Sequence, residues 1–329
     1  MIKKQTPQLN VAKEWKPAVD ALTPTLFHES WWLQAATSGS YEQVEVSDGC
    51  HVVGRFPYAV WQVPGRRFSG LPTLTHVLGP AICEGEGSAN TRFLRRYTIT
   101  RELIAKLPKL YRFRQRLHAG FQDALSFQAE GFQTGVQFNF EIAPQPQAEA
   151  WNKLRNKTRN VIRRAQEDLN VSELTDVDEF LKFYESNLAE RGRHKLEAKH
   201  EVTAVCAAAL QRGAGKILCT RDLQQRLTAA TFLASDAKTA YYLMSTRKPD
   251  AGNGDISLLI WTAICLCGEK NLKFDFDGIA QEGAVLLYAG FGGQPTPRYI
   301  VAKDSKNFKL VAAIKGSLGR FPEENTFDL

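Results

Sequence analysis

The sequence has no apolar run long enough to cross a bilayer, and its opening Met1-Ile-Lys-Lys-Gln-Thr6 lacks the hydrophobic stretch of a secretion signal. A cytoplasmic protein is expected. Its six cysteines (Cys50, Cys83, Cys206, Cys219, Cys265, Cys267) include no CxxC pair, and a chain of 329 residues needs no disulfide staples. Reduced thiols follow, and Cys265 and Cys267, two apart in a helical stretch, face different ways and suggest no shared metal. The six histidines show no HExxH spacing, and GxSxG, GxxxxGK[ST] and GxGxxG are all missing. These absences argue against zinc and serine hydrolases, P-loop enzymes and dinucleotide-binding enzymes, and no bound metal is expected.

What is present is ordinary for a globular protein: 43% hydrophobic and 23% charged residues, with a net charge of +7 that favours anionic partners. The length fits two domains or one large one. Strand-like runs occur at 41–46, 51–61, 75–82, 111–117 and 137–142, with helical patterns at 30–36 and 90–107. The segment Ala143-Pro-Gln-Pro-Gln147 then reads as a domain junction, giving domains 1–147 and 148–329, with a tail after about 304 that packs back on either domain. Beyond it the pattern predicts a helix over 149–169, a strand at 170–174, helices at 176–190 and 201–212, and a three-strand meander at 216–221, 226–234 and 240–246. A helix at 256–270 and a strand at 272–277 follow. The fold class is α/β (α+β), a mixed sheet with a parallel crossover at its end. Residues 45–60 and 219–234 both read strand, polar turn, strand, a faint internal echo.

Three constellations carry chemistry. In Leu272-Lys-Phe-Asp-Phe-Asp-Gly-Ile279, alternation sends Phe274 and Phe276 to one side and Asp275 and Asp277 to the other at a strand end. The carboxylates serve there as a base and a positioning group, or cap the turn at Gly278. The stretch from Trp151 to Arg164 carries six cations and no acid, with Arg155, Arg159 and Arg163 on one helical face. Cations early in a helix oppose its macrodipole, so the order suggests an anionic ligand such as phosphate; a solvated basic face is the plain alternative. Third, the strand Tyr241–Thr246 runs through Arg247 and Gly252-Asn253-Gly254 into a helix, a place where free backbone N–H groups meet an oxyanion, or simply a loop.

Taken in order, Lys157-x-Arg159-x-x-Ile162-Arg-Arg-Ala165, Phe183-Tyr184, Arg191, Ala240-Tyr-Tyr-Leu243, Ser257-Leu-Leu-Ile-Trp261, Phe274-Asp-Phe-Asp-Gly278, Gly290-Phe-Gly292 and Tyr299 resemble the FemAB-like branch of the GNAT acyltransferase superfamily. The resemblance covers most of 130–300, and Phe27-His-Glu-Ser-Trp-Trp32 looks like the family's N-terminal segment. It implies two tandem GNAT-like domains, each a mixed, largely antiparallel sheet flanked by helices. It also implies transfer of an acyl or aminoacyl group to an amine, with acyl-CoA, an acyl-carrier protein or aminoacyl-tRNA as donor and no permanently bound cofactor. On this footing Asp275 or Asp277 takes the proton of the amine, and Tyr242 and Tyr288 assist the leaving group. Arg247, Gly252, Asn253 and Gly254 hold the donor, while Trp31, Trp32, Lys157, Arg159, Arg163 and Arg191 contact substrate. Where tRNA-using relatives often carry a lysine before the Gly-Phe-Gly turn, this chain has Leu287-Tyr-Ala-Gly290. That departure, and the lack of a long helical arm, favours a thioester donor and a small amine acceptor such as an amino sugar of the cell envelope. A peptide or peptidoglycan precursor acylated from tRNA is the alternative, and a non-catalytic nucleic-acid-binding or scaffold protein is a third reading.

Overall fold

The computed structural model describes residues 21–63, 65–192, 196–278 and 282–308. They divide into two compact units, a central one, Asn139–Thr296, and a terminal one that holds the described residues 21–138 and 297–308. The expected junction at 143–147 lies inside the central unit, and the division falls within two strands instead, after Phe138 and after Thr296. Prolines at 144 and 146 turn the chain from a strand into a helix within one core.

The terminal unit begins with a 3-10 turn, Leu26–His28, and helix α1 (Ser30–Ala36), whose Trp32, Leu33 and Ala36 recur at helical spacing and are buried. Then come β1 (Tyr41–Asp48), β2 (His51–Ala59), β3 (Trp61–Val63), β4 (Arg66–Ser69) and β5 (Ala81–Ile82). The strand expected over 75–82 is reduced to its last two residues, because Leu74 and Gly79 both adopt positive φ (54° and 108°) and interrupt extended backbone. Helix α2 (Ala89–Lys106) starts where the Ser88 hydroxyl accepts the Thr91 N–H at 3.2 Å. β6 (Arg112–Arg116), α3 (Leu125–Ala129) and β7 (Gln133–Ile142) follow.

The central unit continues with α4 (Gln147–Lys153), α5 (Asn156–Asp168), β8 (Asn170–Leu174), α6 (Val177–Glu190) and α7 (Lys199–Gln211). Next are β9 (Gly215–Arg221), β10 (Leu227–Ser235), β11 (Thr239–Arg247), α8 (Asn253–Glu269), β12 (Lys273–Gly278) and α9 (Glu282–Gly290). Its strands lie in the order β7, β12, β11, β10, β9, β8, with only the β11/β12 pair parallel. Helix α8 makes the crossover. It is apolar on nearly every side, with Leu258, Leu259, Ile260, Trp261, Ala263 and Ile264 all buried, so it must be covered on both flanks. The sheet covers one flank and α4 and α5 the other. Its Cys265 and Cys267 thiols are pushed up to about 12 by burial, which leaves them inert.

One helix was expected over 149–169, but two are present. Leu154 and Arg155 are extended (ψ 141° and 147°), and the Arg155 N–H donates to the Gly290 carbonyl at 3.0 Å instead of to a helical partner. A hydrogen bond from a distant part of the chain thus replaces the local one.

The last strand among the described residues, β13 (Gln294–Asp304), returns to the terminal unit and pairs antiparallel with β6 from Ile300↔Arg116 to Asp304↔Arg112. β4 pairs parallel with β6 and antiparallel with β3, while β1, β2 and β5 form a separate small sheet. Between them sits a core of Phe56, Phe113, Phe127 and Phe132 in edge-to-face contact, closed by Ile99 and Leu103 of α2 and by Val301 of β13. Among the described residues no helix is long and apolar enough to cross a membrane.

Candidate active site

β11 and β12 begin as neighbours and then part. Their ladder has three positions, Thr239↔Lys273, Ala240↔Phe274 and Tyr241↔Asp275, although β11 runs on to Arg247. Each strand carries a bulge just past that point. Against β10, Phe232 faces Met244 and Leu233 faces Tyr242, so Leu243 is an extra residue. Against β7, Asp275 faces Glu141 and Gly278 faces Asn139, so Phe276 and Asp277 stand opposite the single Phe140. A bulge bends its strand and disrupts the ladder locally, and two bulges flanking one gap open it into a wedge.

Asp277 holds this shape at a cost. Its φ is 66°, the left-handed region, which for a non-glycine residue costs on the order of 1–3 kcal/mol. The Asp277 N–H turns to Asp275 Oδ1 at 2.8 Å, and the same oxygen accepts Asn139 Nδ2 at 2.8 Å. The alternation expected from the sequence therefore holds through Phe276 and breaks at Asp277.

On one face of the sheet an aromatic group lines the wedge. Tyr288 of α9 stacks on Phe276 with ring centres 4.4 Å apart, and Tyr242 lies 6.2 Å from Phe274 and 6.4 Å from Phe276. Burial pushes the Tyr242 phenol up to about 12. Burial also pushes Tyr288 well above the usual phenol range, helped by Tyr242 and by the negative charges of Asp277 and Asp275. Both are neutral hydrogen-bond donors at neutral pH. Asp275 belongs to the other face with Tyr241, its register partner, whose hydroxyl donates to Asp236 Oδ2 at 3.1 Å. The wedge is what both faces share.

At the far end of β11, buried Asn187 of α6 donates to Thr246 Oγ1 at 3.1 Å, and Thr231 donates to the Met244 carbonyl at 2.8 Å beside the bulge. These bonds fix the departing half of the strand from behind. Arg191 donates to the Arg247 carbonyl at 2.8 Å, and the Arg247 guanidinium closes on the Ala251 carbonyl, so these two expected residues do meet.

Helix α8 starts at Asn253, three residues earlier than the expected Ile256, with Gly252 as its N-cap. Gly252-Asn253-Gly254 is thus a helix start rather than a loop. A Cβ on Gly254 would come within 2.9 Å of Ala165 Cβ, so its glycine lets α8 approach α5 closely. The expected row of guanidinium forks on α5 is also changed. Arg159 closes the end of α4, reaching the Trp151 carbonyl at 3.4 Å and the Asn156 side chain, and Arg163 covers the Trp151 ring at 5.4 Å. Lys157 is exposed, as are Arg155 and Arg164. Trp31 and Trp32 belong to the terminal unit. Trp32 is 0% exposed and its indole N–H donates to Thr75 Oγ1 at 2.9 Å, so it has no surface to offer a substrate. Trp31 meets it edge-on at 5.6 Å.

Asn139, Asn187 and Thr246 had no signature in the sequence. Only the position of Asn139 between Phe138 and Phe140 in a strand hinted at a polar group on the face opposite Phe140.

The stretch with this wedge also matches a known domain family. Residues 152–283 match the acetyltransferase (GNAT) domain family. No curated protein matches at the sequence level. Among solved structures, FemX shares the fold with a TM-score of 0.63 at 12% identity, over 90% of this chain and 96% of that one. A protein described as the C-terminal domain of a lysylphosphatidylglycerol synthetase from Agrobacterium fabrum gives 0.53 at 13% identity, over 91% and 95%. L-PGS from Bacillus licheniformis gives 0.50 at 12% identity, over 93% and 99%. The matched stretch holds the β11–α8–β12 wedge, so this part of the chain is similar to the acetyltransferase (GNAT) domain, within a fold shared with FemX.

Proposed function

We propose that the chain transfers an acyl group from a thioester donor, acyl-CoA or acyl-carrier protein, to the amine of a small acceptor such as an amino sugar. The observation that carries this reading is the wedge between β11 and β12 with bulges on both sides. Strand edges released from a ladder offer backbone N–H groups already in place, and such groups stabilise the oxyanion that forms when an amine attacks a carbonyl. The carbonyl sits against Tyr242–Thr246 of β11. Asp275 accepts the proton that the ammonium must lose and releases it to solvent, the C–N bond forms, the C–S bond breaks, and the second proton shed by the attacking nitrogen ends on the departing sulfur. Tyr242 and Tyr288 steady that sulfur by hydrogen bonds, and the aromatic group around Phe276 keeps water out. The start of α8 with Arg247 and Arg191 beside it suits the donor's phosphates.

A second reading, an aminoacyl-tRNA donor, is favoured by the fold shared with a lysylphosphatidylglycerol synthetase and by exposed Arg155, Lys157 and Arg164 on α5. Thermal-shift titration separates the two. A saturable rise in Tm with acetyl-CoA or a longer acyl-CoA supports the thioester donor. A response to bulk tRNA alone that fades steeply between 50 and about 200 mM salt supports the other.

A further inference from the structure

From Gly283 to Gly290 helix α9 reads Gly-Ala-Val-Leu-Leu-Tyr-Ala-Gly, with no charged residue. Its inner side is used, since Tyr288 stacks on Phe276 and Val285 and Leu287 pack against the core. Its outer side is not. Leu286 is 65% exposed, the highest value for a large apolar side chain among the described residues, and Gly283 and Ala289, three residues to either side, are exposed too. A single exposed leucine needs no explanation, but this one has neighbours of a particular kind. It stands one turn before Gly290 on the same helical face. Gly290 is seated on the α4–α5 junction: its carbonyl takes the Arg155 N–H at 3.0 Å, and a Cβ there would come within 2.8 Å of Thr158 Oγ1 and 3.9 Å of Arg155 Cδ. A Cβ on Gly292 would likewise lie 3.2 Å from Lys153 Cβ. Lys153, Arg155 and Lys157 are exposed, and among the described residues none of them forms an ion pair. No acid occurs at 150–166 or 283–296. An aliphatic knob thus stands beside three cations that no carboxylate of those stretches offsets.

This pairing selects the partner. Cations alone suit any polyanion, but a nucleic acid also gains from stacking its bases on aromatic rings. Here Trp151 is covered by Arg163 at 5.4 Å and by Trp261 at 5.0 Å, and Tyr288 is turned inward. Phosphate has no use for Leu286. A bilayer with anionic headgroups uses both features, because hydrocarbon takes the leucine and the headgroups take the cations, and peripheral binding needs two such signals together. We propose that the outer face of α9 around Leu286, with Lys153, Arg155 and Lys157 beside it, docks the protein on an anionic lipid surface. The inner face of the same helix carries Tyr288 into the wedge, so docking sets the wedge one helix away from the headgroups. The docking goes beyond the acyl-transfer reading and does not depend on which donor or acceptor the wedge takes.

The test floats the full chain with vesicles of phosphatidylcholine, or of phosphatidylcholine with a third of the lipid replaced by phosphatidylglycerol, at low and high salt and with no donor or acceptor present. The protein should bind the anionic vesicles alone, and less as salt rises. Arg155→Gln with Lys157→Gln should weaken that binding about thirtyfold, two surface cations' worth, and flatten its salt dependence. Leu286→Ser should weaken it about tenfold and leave the salt dependence as it was. All three side chains are exposed, so Tm should stay within about 2 °C of the parent. Leu286→Trp keeps an apolar side chain and should bind at least as well, with its added emission moving to the blue on anionic vesicles. Equal binding to both kinds of vesicle, binding that the variants leave unchanged, or emission that does not move overturns the proposal. So does capture of bulk tRNA that the double variant loses, with no vesicle binding, which gives the cations to a nucleic acid.

Discussion

At Asp277 and Gly254 the residue types run against expectation, since the left-handed position carries an aspartate and the helical position a glycine. Each placement makes a measurable prediction. Asp277→Gly relieves the strained φ but adds freedom to the unfolded chain, so stability in urea should be unchanged or higher by up to about 1 kcal/mol. Turnover should fall, because the bulge is no longer held in one shape. Gly254→Ala should lower stability by about 1–3 kcal/mol by forcing α8 off Ala165, and Ala165→Gly in the same chain should restore part of it. Additive losses in that pair would show that the two helices do not meet there. The placement of Asp275 and Asp277 at a strand end was legible in the sequence because strand alternation and strand ends are local signals. The part played by Asn139 was not, since the bond from its amide to Asp275 joins strands far apart in sequence, and only the packed structure shows that.

Among the elements, the β9–β10–β11 meander, helix α8 and strand β12 were read from the sequence to within a few residues. Their periods are strong and their turns are local. The break between α4 and α5 was invisible for the opposite reason. Nothing in Leu154-Arg155 disfavours a helix, and the carbonyl that captures the Arg155 N–H belongs to Gly290. The basic face was legible from its spacing, but that two of its arginines serve the turn between the helices was not. The departing half of β11 depends in the same way on α6. Asn187→Ala leaves the Thr246 hydroxyl buried without that donor and should cost about 1–3 kcal/mol. Amide exchange should quicken at 242–247 more than at 217–221; equal rates would mean that the bond does not anchor the strand.

For the whole molecule, the two units should respond differently to acid. In the terminal unit His28 and His118 are buried with ring centres 5.1 Å apart, and their nitrogens bond to Gly79 and Pro80 carbonyls at 3.1 and 2.9 Å. Burial, and then the Arg298 charge, depress His118 to about 4, while burial and His118 depress His28. The folded state therefore binds fewer protons than the unfolded chain, and the stability these groups permit is lost as pH falls from about 6.5 toward 4. Amide exchange at pH 5 should show 21–138 losing protection before 139–296, and His118→Gln should flatten the difference. Equal loss in both units would contradict this.

The return of β13 to β6 also sets an order in time. The ribosome makes residues 21–138 of the terminal unit early, yet the part of β13 that seals β6 and carries Val301 into the phenylalanine core is made only after Thr296. The central unit, contiguous in sequence, is complete before its older neighbour can close. Through that interval the nascent chain exposes an unpaired β6 edge and an incomplete aromatic core, the surfaces that seed association between chains. Expression of fragments that stop at Thr296 should accordingly yield aggregates, so β13 governs whether the part of the chain made long before it stays in solution.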